Sequence, residues 1–193
     1  MQYEAVVIGV SAGGLAALSG ILEGLPVDFS LPLIIIQHRA KDERTLLEEV
    51  LQARCVVRIK QADEKEKIKD SVVYFAPADY HLLIEQDRSF SLTCDEPVNF
   101  SRPSIDLLFE TASEVYLDKL IGIILTGANS DGAAGIRAIR RRGGFTIAQD
   151  PGSASFPAMP RAAIDTGSVQ SVLTTEEIKD FLLDIGNKRS SHV

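Results

Sequence analysis

The sequence has no tryptophan, only two cysteines and only three histidines. Cys55 and Cys94 lie far apart along the chain and form neither a C-x-x-C pair nor a cluster with histidine. This spacing excludes a zinc site of the usual Cys/His type and a disulfide framework. We therefore expect buried thiols in a reducing compartment, with no metal and no cofactor.

Long apolar runs and clustered basic residues are also lacking. The first apolar run is about seven residues long and follows no basic segment, which is too short for a signal peptide or a membrane span. The formal net charge is -7, whereas nucleic-acid-binding proteins present clustered basic surface to the phosphates. We expect a cytoplasmic protein that neither inserts into membranes nor binds nucleic acid.

The 193 residues are 45% hydrophobic and 24% charged, values that are typical of a soluble globular protein. A chain of this length suits one domain with a substantial core of its own. We expect a single α/β domain over residues 1–186 and a flexible tail over residues 187–193.

Continuous apolar runs at residues 6–10 and 33–37 are typical of strands that are covered on both faces of a parallel sheet. Helical spacing of leucine and isoleucine between them predicts a β-α-β unit. The whole pattern predicts a doubly wound, mostly parallel sheet flanked by helices, with a small antiparallel excursion around residues 72–93. The other predicted elements are helices at 43–52, 103–117, 133–143 and 176–186, and strands at 56–59, 120–125, 145–148 and 169–173.

The turn after the first strand, in "VVIGVSAGGLAAL", allows three interpretations. A dinucleotide fingerprint needs a glycine where Ser11 stands and an acidic residue where the second strand ends in Gln37 and His38. A P-loop needs a lysine where Leu15 stands. The remaining functional interpretation is a nucleophilic serine, Ser11, beside free helix-start N–H groups that stabilise an oxyanion. A structural turn or an anion site stays open as the alternative.

A nucleophilic serine needs a base and a group that orients the base. His38 follows the second predicted strand, and Asp131 follows the strand at 120–125, so both are expected near Ser11 at the carboxyl edge of the sheet. Taken alone, Asp131 reads more simply as a helix N-cap. His81 is expected to be solvated or locally hydrogen-bonded in a turn, and His192 to lie in the tail. The chain order Ser, His, Asp disfavours the α/β-hydrolase fold.

With these residues identified, the chain resembles the catalytic domain of the CheB protein-glutamate methylesterases. The similarity runs from about residue 5 to residue 183. The motifs that carry it are "GVSAGG" at 9–14, "IIIQH" at 34–38, "YFAPADYHL" at 74–82, "RPSIDLLF" at 102–109, "ILTGANSDGAAG" at 124–135, "TIAQD" at 146–150 and "MPRAAI" at 159–164.

The resemblance implies a serine esterase, a carboxylic ester hydrolase that cleaves glutamate γ-methyl esters on the cytoplasmic helical region of methyl-accepting chemotaxis receptors. Some members of the family also deamidate receptor glutamines. Ser11, His38 and Asp131 match the family's catalytic triad. The backbone N–H of Ala128 matches a donor of its oxyanion hole, and the N–H of Ala12, at the start of the helix, is the other candidate donor.

Two local differences from the family pattern are expected to affect the rate of ester hydrolysis and the substrate preference. The family usually has methionine and then glycine where this chain has Ala128 and Asn129, and often has threonine where this chain has Ala12. The altered "GANSDG" loop motivates an alternative, in which the chain is a catalytically weakened member that serves as a regulatory or binding module outside chemotaxis.

We also predict which residues contact the substrate and how the activity is regulated. Arg102, Phe156 and Met159 are candidate substrate contacts at the rim of the crevice, with helix capping and core packing as the alternative. The best-known members of the family carry an N-terminal receiver domain, whereas this chain starts at the catalytic strand. We expect a stand-alone member, for which a regulator would be a separate protein.

Overall fold

The computed structural model describes residues 3–39 and 47–190, with side chains described through residue 187. Within these ranges the strands are β1 (Ala5–Val10), β2 (Leu33–Gln37), β3 (Arg58–Gln61), β4 (Val72–Phe75), β5 (His81–Ile84), β6 (Phe90–Thr93), β7 (Leu120–Ile124), β8 (Phe145–Gln149) and β9 (Ser171–Leu173). The α-helices are α1 (Gly14–Leu22), α2 (Leu47–Gln52), α3 (Ile105–Tyr116), α4 (Ala133–Arg141), α5 (Ala158–Asp165) and α6 (Thr175–Ser190).

Seven strands form one parallel sheet in the order β3-β4-β2-β1-β7-β8-β9, and β5 pairs with β6 in a separate antiparallel pair. The chain winds outward from β1 in one direction, then returns to β7 on the other side of β1. In such sheets the crevice for ligands lies at the carboxyl ends of the strands, where the direction of winding reverses. The predicted fold class is confirmed by this topology.

Two apolar cores cover the two faces of the sheet. Apolar side chains of α1 and α6 pack on one face, and those of α3, α4 and α5 pack on the other, together with the β5-β6 pair. Residues of β1 alternate between these cores, because successive side chains of a strand point to opposite faces. Val6 and Ile8 belong to the first core and Ala5 and Val7 to the second. A fully buried β1 explains its unbroken apolar sequence.

The antiparallel excursion begins later than the sequence analysis predicts. Residues Val72–Phe75 form β4, which lies between β2 and β3 and is parallel to both. All four of its residues are buried, which is the pattern of a strand with both faces covered. The antiparallel pairing is therefore limited to β5 and β6, and the strand predicted at 56–59 lies at Arg58–Gln61.

The helices predicted at 43–52 and 176–186 are the two that reach the limits of the described ranges. Of the helix predicted at 43–52, residues Leu47–Gln52 form α2, and residues 43–46 lie outside the described ranges. The helix α6 continues to Ser190, so that residues 187–190 of the predicted tail are helical, while residues 191–193 lie outside the described ranges. No helix within the described ranges is long and apolar enough to cross a membrane.

The first turns of α3 and α4 are joined by Asp106. Its carboxylate accepts a hydrogen bond of 2.7 Å from the backbone N–H of Gly135 in α4 and one of 3.0 Å from the amide of Asn99. Gly132, the N-cap of α4, has no side chain to make such a bond. Burial raises the pKa of Asp106, a shift that the N–H of Gly135 partly offsets and the charge of Asp131 reinforces. A residue of α3 thus supplies the cap that α4 lacks.

Replacing Asp106 with alanine is expected to lower the free energy of unfolding by about 1–3 kcal/mol, because the buried N–H of Gly135 loses its acceptor. Asp106→Asn keeps an acceptor oxygen and is expected to cost less than half as much. Urea denaturation of both variants measures the difference. Equal losses for the two variants would contradict a capping role.

Candidate active site

A cavity of about 670 Å³ opens at the carboxyl ends of the central strands. Ser11 follows β1, His38 follows β2, and both line the cavity. The parallel register places Val10 of β1 beside Gln37 of β2, and the N–H of His38 donates to the carbonyl of Val10 at 3.0 Å. The loop that carries Asp131 follows β7, the other neighbour of β1. The sheet order therefore brings the three side chains to one edge.

Ser11 lies in a tight turn between β1 and α1. Its N–H donates to the carbonyl of Thr126 at 2.9 Å, and its own carbonyl accepts from the N–H of Gly14 at 3.0 Å. Gly13 has φ +78°, a left-handed conformation that glycine adopts without steric cost. Within the described ranges, the N–H groups of Ala12 and Gly13 donate to no protein group. These donors at a helix start can receive a developing oxyanion.

Gln37 fixes the Ser11 turn relative to His38. Its side-chain nitrogen donates to the carbonyl of Ser11 and to the carbonyl of His38, each at 2.9 Å. A Cβ at Gly14 would overlap the side-chain amide of Gln37 and displace it from this position. Sequence reasoning missed this role of Gln37. The sequence feature that could have indicated this role is a polar residue at the end of an otherwise apolar strand.

The imidazole of His38 is held by Asp131. The Nε2 atom of His38 lies 2.9 Å from Oδ2 of Asp131, whose side chain is fully buried, while the side chain of His38 is 12% exposed. A hydrogen bond to an ionised carboxylate places the imidazole proton on Nε2. The unprotonated Nδ1 is then the nitrogen that can take up a proton.

Asp131 is in turn held by the N-terminus of α3. It accepts hydrogen bonds from the backbone N–H of Ile105 at 2.7 Å, from that of Asp106 at 3.1 Å, and from the hydroxyl of Ser104 at 3.1 Å. Burial acts to raise the pKa of Asp131, but the hydrogen bonds from His38 and α3 outweigh it, and the net pKa is lowered. Asp131 thus caps α3, and not its own helix α4, whose N-cap is Gly132.

His81 is a buried structural residue. It begins β5, and its Nδ1 accepts from the N–H of Ser104 at 3.1 Å while its Nε2 lies 3.2 Å from the carbonyl of Glu96. Local hydrogen bonding is therefore observed, and solvation is not. His81 fixes Ser104, which contacts Asp131. His192 lies outside the described ranges.

The Asp131 loop presents Ala128 and Asn129 to solvent. Within the described ranges, the N–H of Ala128 makes no hydrogen bond, and its residue lies outside the cavity lining, whereas Ala12 lies within it. The side-chain oxygen of Asn129 accepts from the N–H of Asp131 at 3.1 Å, and its nitrogen lies 3.4 Å from Nδ1 of His38.

The three predicted substrate contacts have different surroundings. Arg102 lines the cavity, but its guanidinium is bound to Asp79 at 2.6 Å and to two backbone carbonyls. Phe156 is half-exposed beside the Ser11 turn, close to Gly13. Met159 is 1% exposed and packs against Gly127, so its side chain is part of the core. Phe100, which the sequence analysis did not single out, lines the cavity and is fully exposed.

Within the described ranges, no group of three or more His, Cys, Asp or Glu side chains could hold a metal ion. The arrangement of Ser11, His38 and Asp131 can catalyse acyl transfer. It combines a serine in a tight turn, a histidine oriented by a buried carboxylate, and free backbone donors.

A sequence model of the CheB methylesterase family matches residues 6–182. A protein of Leptospira interrogans serogroup Icterohaemorrhagiae serovar copenhageni is 54% identical over 183 residues, which cover 95% of each chain. A protein-glutamate methylesterase/protein-glutamine glutaminase of Archaeoglobus fulgidus is 36% identical over 181 residues. That match covers 92% of this chain and 52% of the Archaeoglobus protein.

A solved structure has the same fold. The crystal structure of the Thermotoga maritima CheB methylesterase catalytic domain superimposes with a TM-score of 0.91 at 31% sequence identity. The match covers 96% of this chain and all of that one. The family and the fold that the sequence motifs predict are therefore confirmed.

The lowered pKa of Asp131 predicts how stability depends on pH. Its carboxylate stabilises the fold at pH values above the unfolded-state pKa of about 3.9, and this contribution is lost as the pH falls through the lower folded-state pKa. The difference in unfolding free energy between the wild type and Asp131→Asn should therefore narrow from pH 6 down to about pH 2. Urea denaturation across that range measures it.

The Asp165→Asn variant, which removes one carboxylate at an exposed position, is the matched control and is measured over the same range. A constant difference for Asp131→Asn would contradict the prediction.

Proposed function

The chain belongs to the CheB methylesterase family, and on that premise we propose that it hydrolyses γ-methyl esters of glutamate side chains on methyl-accepting chemoreceptors. The products are glutamate and methanol. The observation that supports this proposal most strongly is the hydrogen bond between His38 and the buried Asp131. His38 lines the same cavity as Ser11. This function is the one that the sequence motifs predict.

Ser11, His38 and Asp131 form the proposed catalytic triad. Nδ1 of His38 removes the proton of the Ser11 hydroxyl, and the oxygen attacks the ester carbonyl to form a tetrahedral intermediate. Collapse of the intermediate breaks the bond to the methoxy group, which leaves as methanol with the proton from His38. Water, activated by His38 in the same way, then releases glutamate from the acyl-enzyme.

We propose the following partners for the charges that develop in this reaction. The N–H of Ala12, at the cavity wall, is the proposed main oxyanion donor, and the N–H of Ala128 is the second. The ionised carboxylate of Asp131 stabilises the imidazolium that forms on His38. Because its own hydrogen bonds come from α3, this carboxylate needs no rearrangement when the charge appears.

Deamidation of receptor glutamine is a second proposed activity. The relatives from Archaeoglobus fulgidus and Carboxydothermus hydrogenoformans are named both protein-glutamate methylesterase and protein-glutamine glutaminase. The chemistry differs only in the leaving group, which is ammonia instead of methanol. The same triad and oxyanion donors suffice for both.

The alternative, a weakened binding module outside chemotaxis, is less well supported, because the named relatives are enzymes and the catalytic residue types are all present.

The cytoplasmic receptor region is the proposed partner, and in this proposal it contacts the exposed aromatic rim of the cavity. There Phe100 stands fully in solvent with φ +61° in a tight hairpin turn. Phenylalanine rarely adopts such a backbone conformation, and functional sites often keep residues of this kind.

Methanol release from methylated receptor membranes tests the triad. Ser11→Ala, His38→Gln and Asp131→Asn should each lower kcat by about 10³-fold or more, since the nucleophile, its base or the imidazole tautomer is lost. Ser91→Ala, which does not line the cavity, should keep wild-type activity. The esterase function is contradicted if the wild type releases no methanol or if Ser11→Ala releases as much.

The role of the rim is tested with Phe100→Ala. Loss of an aromatic contact of about 1–2 kcal/mol should raise KM for methylated receptor about 5- to 30-fold and leave kcat unchanged. Hydrolysis of a small soluble ester should not change. Leu117→Ala is the matched control, because Leu117 is also exposed and has φ +54°, but lies at the end of α3. An unchanged KM for Phe100→Ala would exclude a role in receptor binding.

A further inference from the structure

Asn129 connects the backbone of the Asp131 loop to the imidazole of His38. Its side-chain oxygen accepts from the N–H of Asp131 at 3.1 Å, and its side-chain nitrogen lies 3.4 Å from Nδ1 of His38. A backbone N–H can only donate, so the amide oxygen must face Asp131. The amide NH₂ group therefore faces His38, and the orientation of Asn129 is fixed by the fold.

His38 has to be the acceptor in this contact. Its Nε2 carries the proton that is donated to Asp131 at 2.9 Å. Its Nδ1 therefore presents a lone pair to the amide of Asn129. This same lone pair has to receive the proton of Ser11 in the proposed reaction. Within the described ranges, the hydroxyl of Ser11 makes no hydrogen bond, although Ser11, His38 and Asn129 line one cavity.

We propose that Asn129 is a positioning residue that keeps Nδ1 of His38 unprotonated and ready to act as a base. The inference rests on the proposed esterase function. An amide N–H aimed at Nδ1 opposes protonation there, since two N–H donors would then face each other. At 3.4 Å the contact is longer than the usual hydrogen bond. Ser11 can therefore displace the amide at small cost when substrate binds.

The charged groups around His38 show why a substitution at residue 129 is a specific test of this role. Among the described residues, Asp131 is the charged group in hydrogen-bond contact with the imidazole. Arg39, Asp79 and Arg102 line the same cavity. Arg39 is paired with Glu48, and Arg102 is paired with Asp79. A change of charge at residue 129 therefore acts beside Nδ1 without removing any of these ion pairs.

Asn129→Asp is the sharpest variant, because it is nearly the same size and keeps an oxygen for the N–H of Asp131. It replaces the donor that faces Nδ1 by an acceptor, so a proton on Nδ1 becomes favourable and His38 is held between two carboxylates. The acidic limb of the pH profile of kcat/KM should move to higher pH by about one unit or more. Asn129→Ala, which removes the donor together with the acceptor for the N–H of Asp131, should move it less in the same direction.

Nitrogen NMR of the protein with ¹⁵N-labelled histidine gives a readout that needs no substrate. At a pH where Nδ1 of wild-type His38 is unprotonated, the variant Asn129→Asp should carry a proton on that nitrogen. His81 is an internal reference, because its Nδ1 accepts from the N–H of Ser104 and should be unaffected. Asn187→Asp, which adds the same charge on α6 outside the cavity, should change neither the NMR signal nor the pH profile.

The outcomes separate this proposal from the proposed function. If the wild type releases no methanol but the His38 signal changes as expected, the positioning role stands and the esterase function fails. If methanol is released and both Asn129 variants keep the wild-type pH profile and His38 signal, the positioning role is overturned. An equal shift in Asn187→Asp also overturns it, because the effect then comes from net charge.

Discussion

The carboxylate of Asp131 is the group on which the rest of the site depends. A fully buried charge is costly unless hydrogen bonds replace the lost water, and here the first turn of α3 supplies two N–H groups and the hydroxyl of Ser104. The positive end of the helix dipole adds to this stabilisation. The result is an acceptor that stays ionised and fixed, so that His38 is oriented before substrate arrives.

The helices α3 and α4, which begin at the site, cap each other. Asp131, from the loop before α4, caps α3, and Asp106, from the first turn of α3, caps α4. This exchange fixes the end of the loop that carries Asp131 against both helices. Gln37 does the same for the other side of the site, where it binds the carbonyls of Ser11 and His38. The proposed catalytic groups are therefore placed by buried polar contacts between loops, on a rigid sheet.

Around this fixed centre lies the exposed rim of the cavity, where we propose that substrate binds. Arg102 lines the cavity while its guanidinium is paired with Asp79, and the side chain of Met159 packs in the core, which was the alternative interpretation for that residue. Phe100 and Phe156 remain exposed. Asn129 lines the cavity and contacts the nitrogen that the proposed mechanism uses. The role that we propose for Asn129 concerns the proton of His38, whereas the role that we propose for Phe100 concerns substrate binding.

The apolar runs at β1, β2 and β7 and the polar residues after them could be interpreted from the sequence, because strand burial follows a short local pattern. That pattern indicated the parallel sheet and the edge at which Ser11, His38 and Asp131 meet. It could not show that Val72–Phe75 joins the main sheet, that Asp131 caps α3, or that Gln37 and Asn129 contact His38. Those contacts join residues that are distant along the chain, or depend on side-chain directions, and only the packed tertiary structure fixes either.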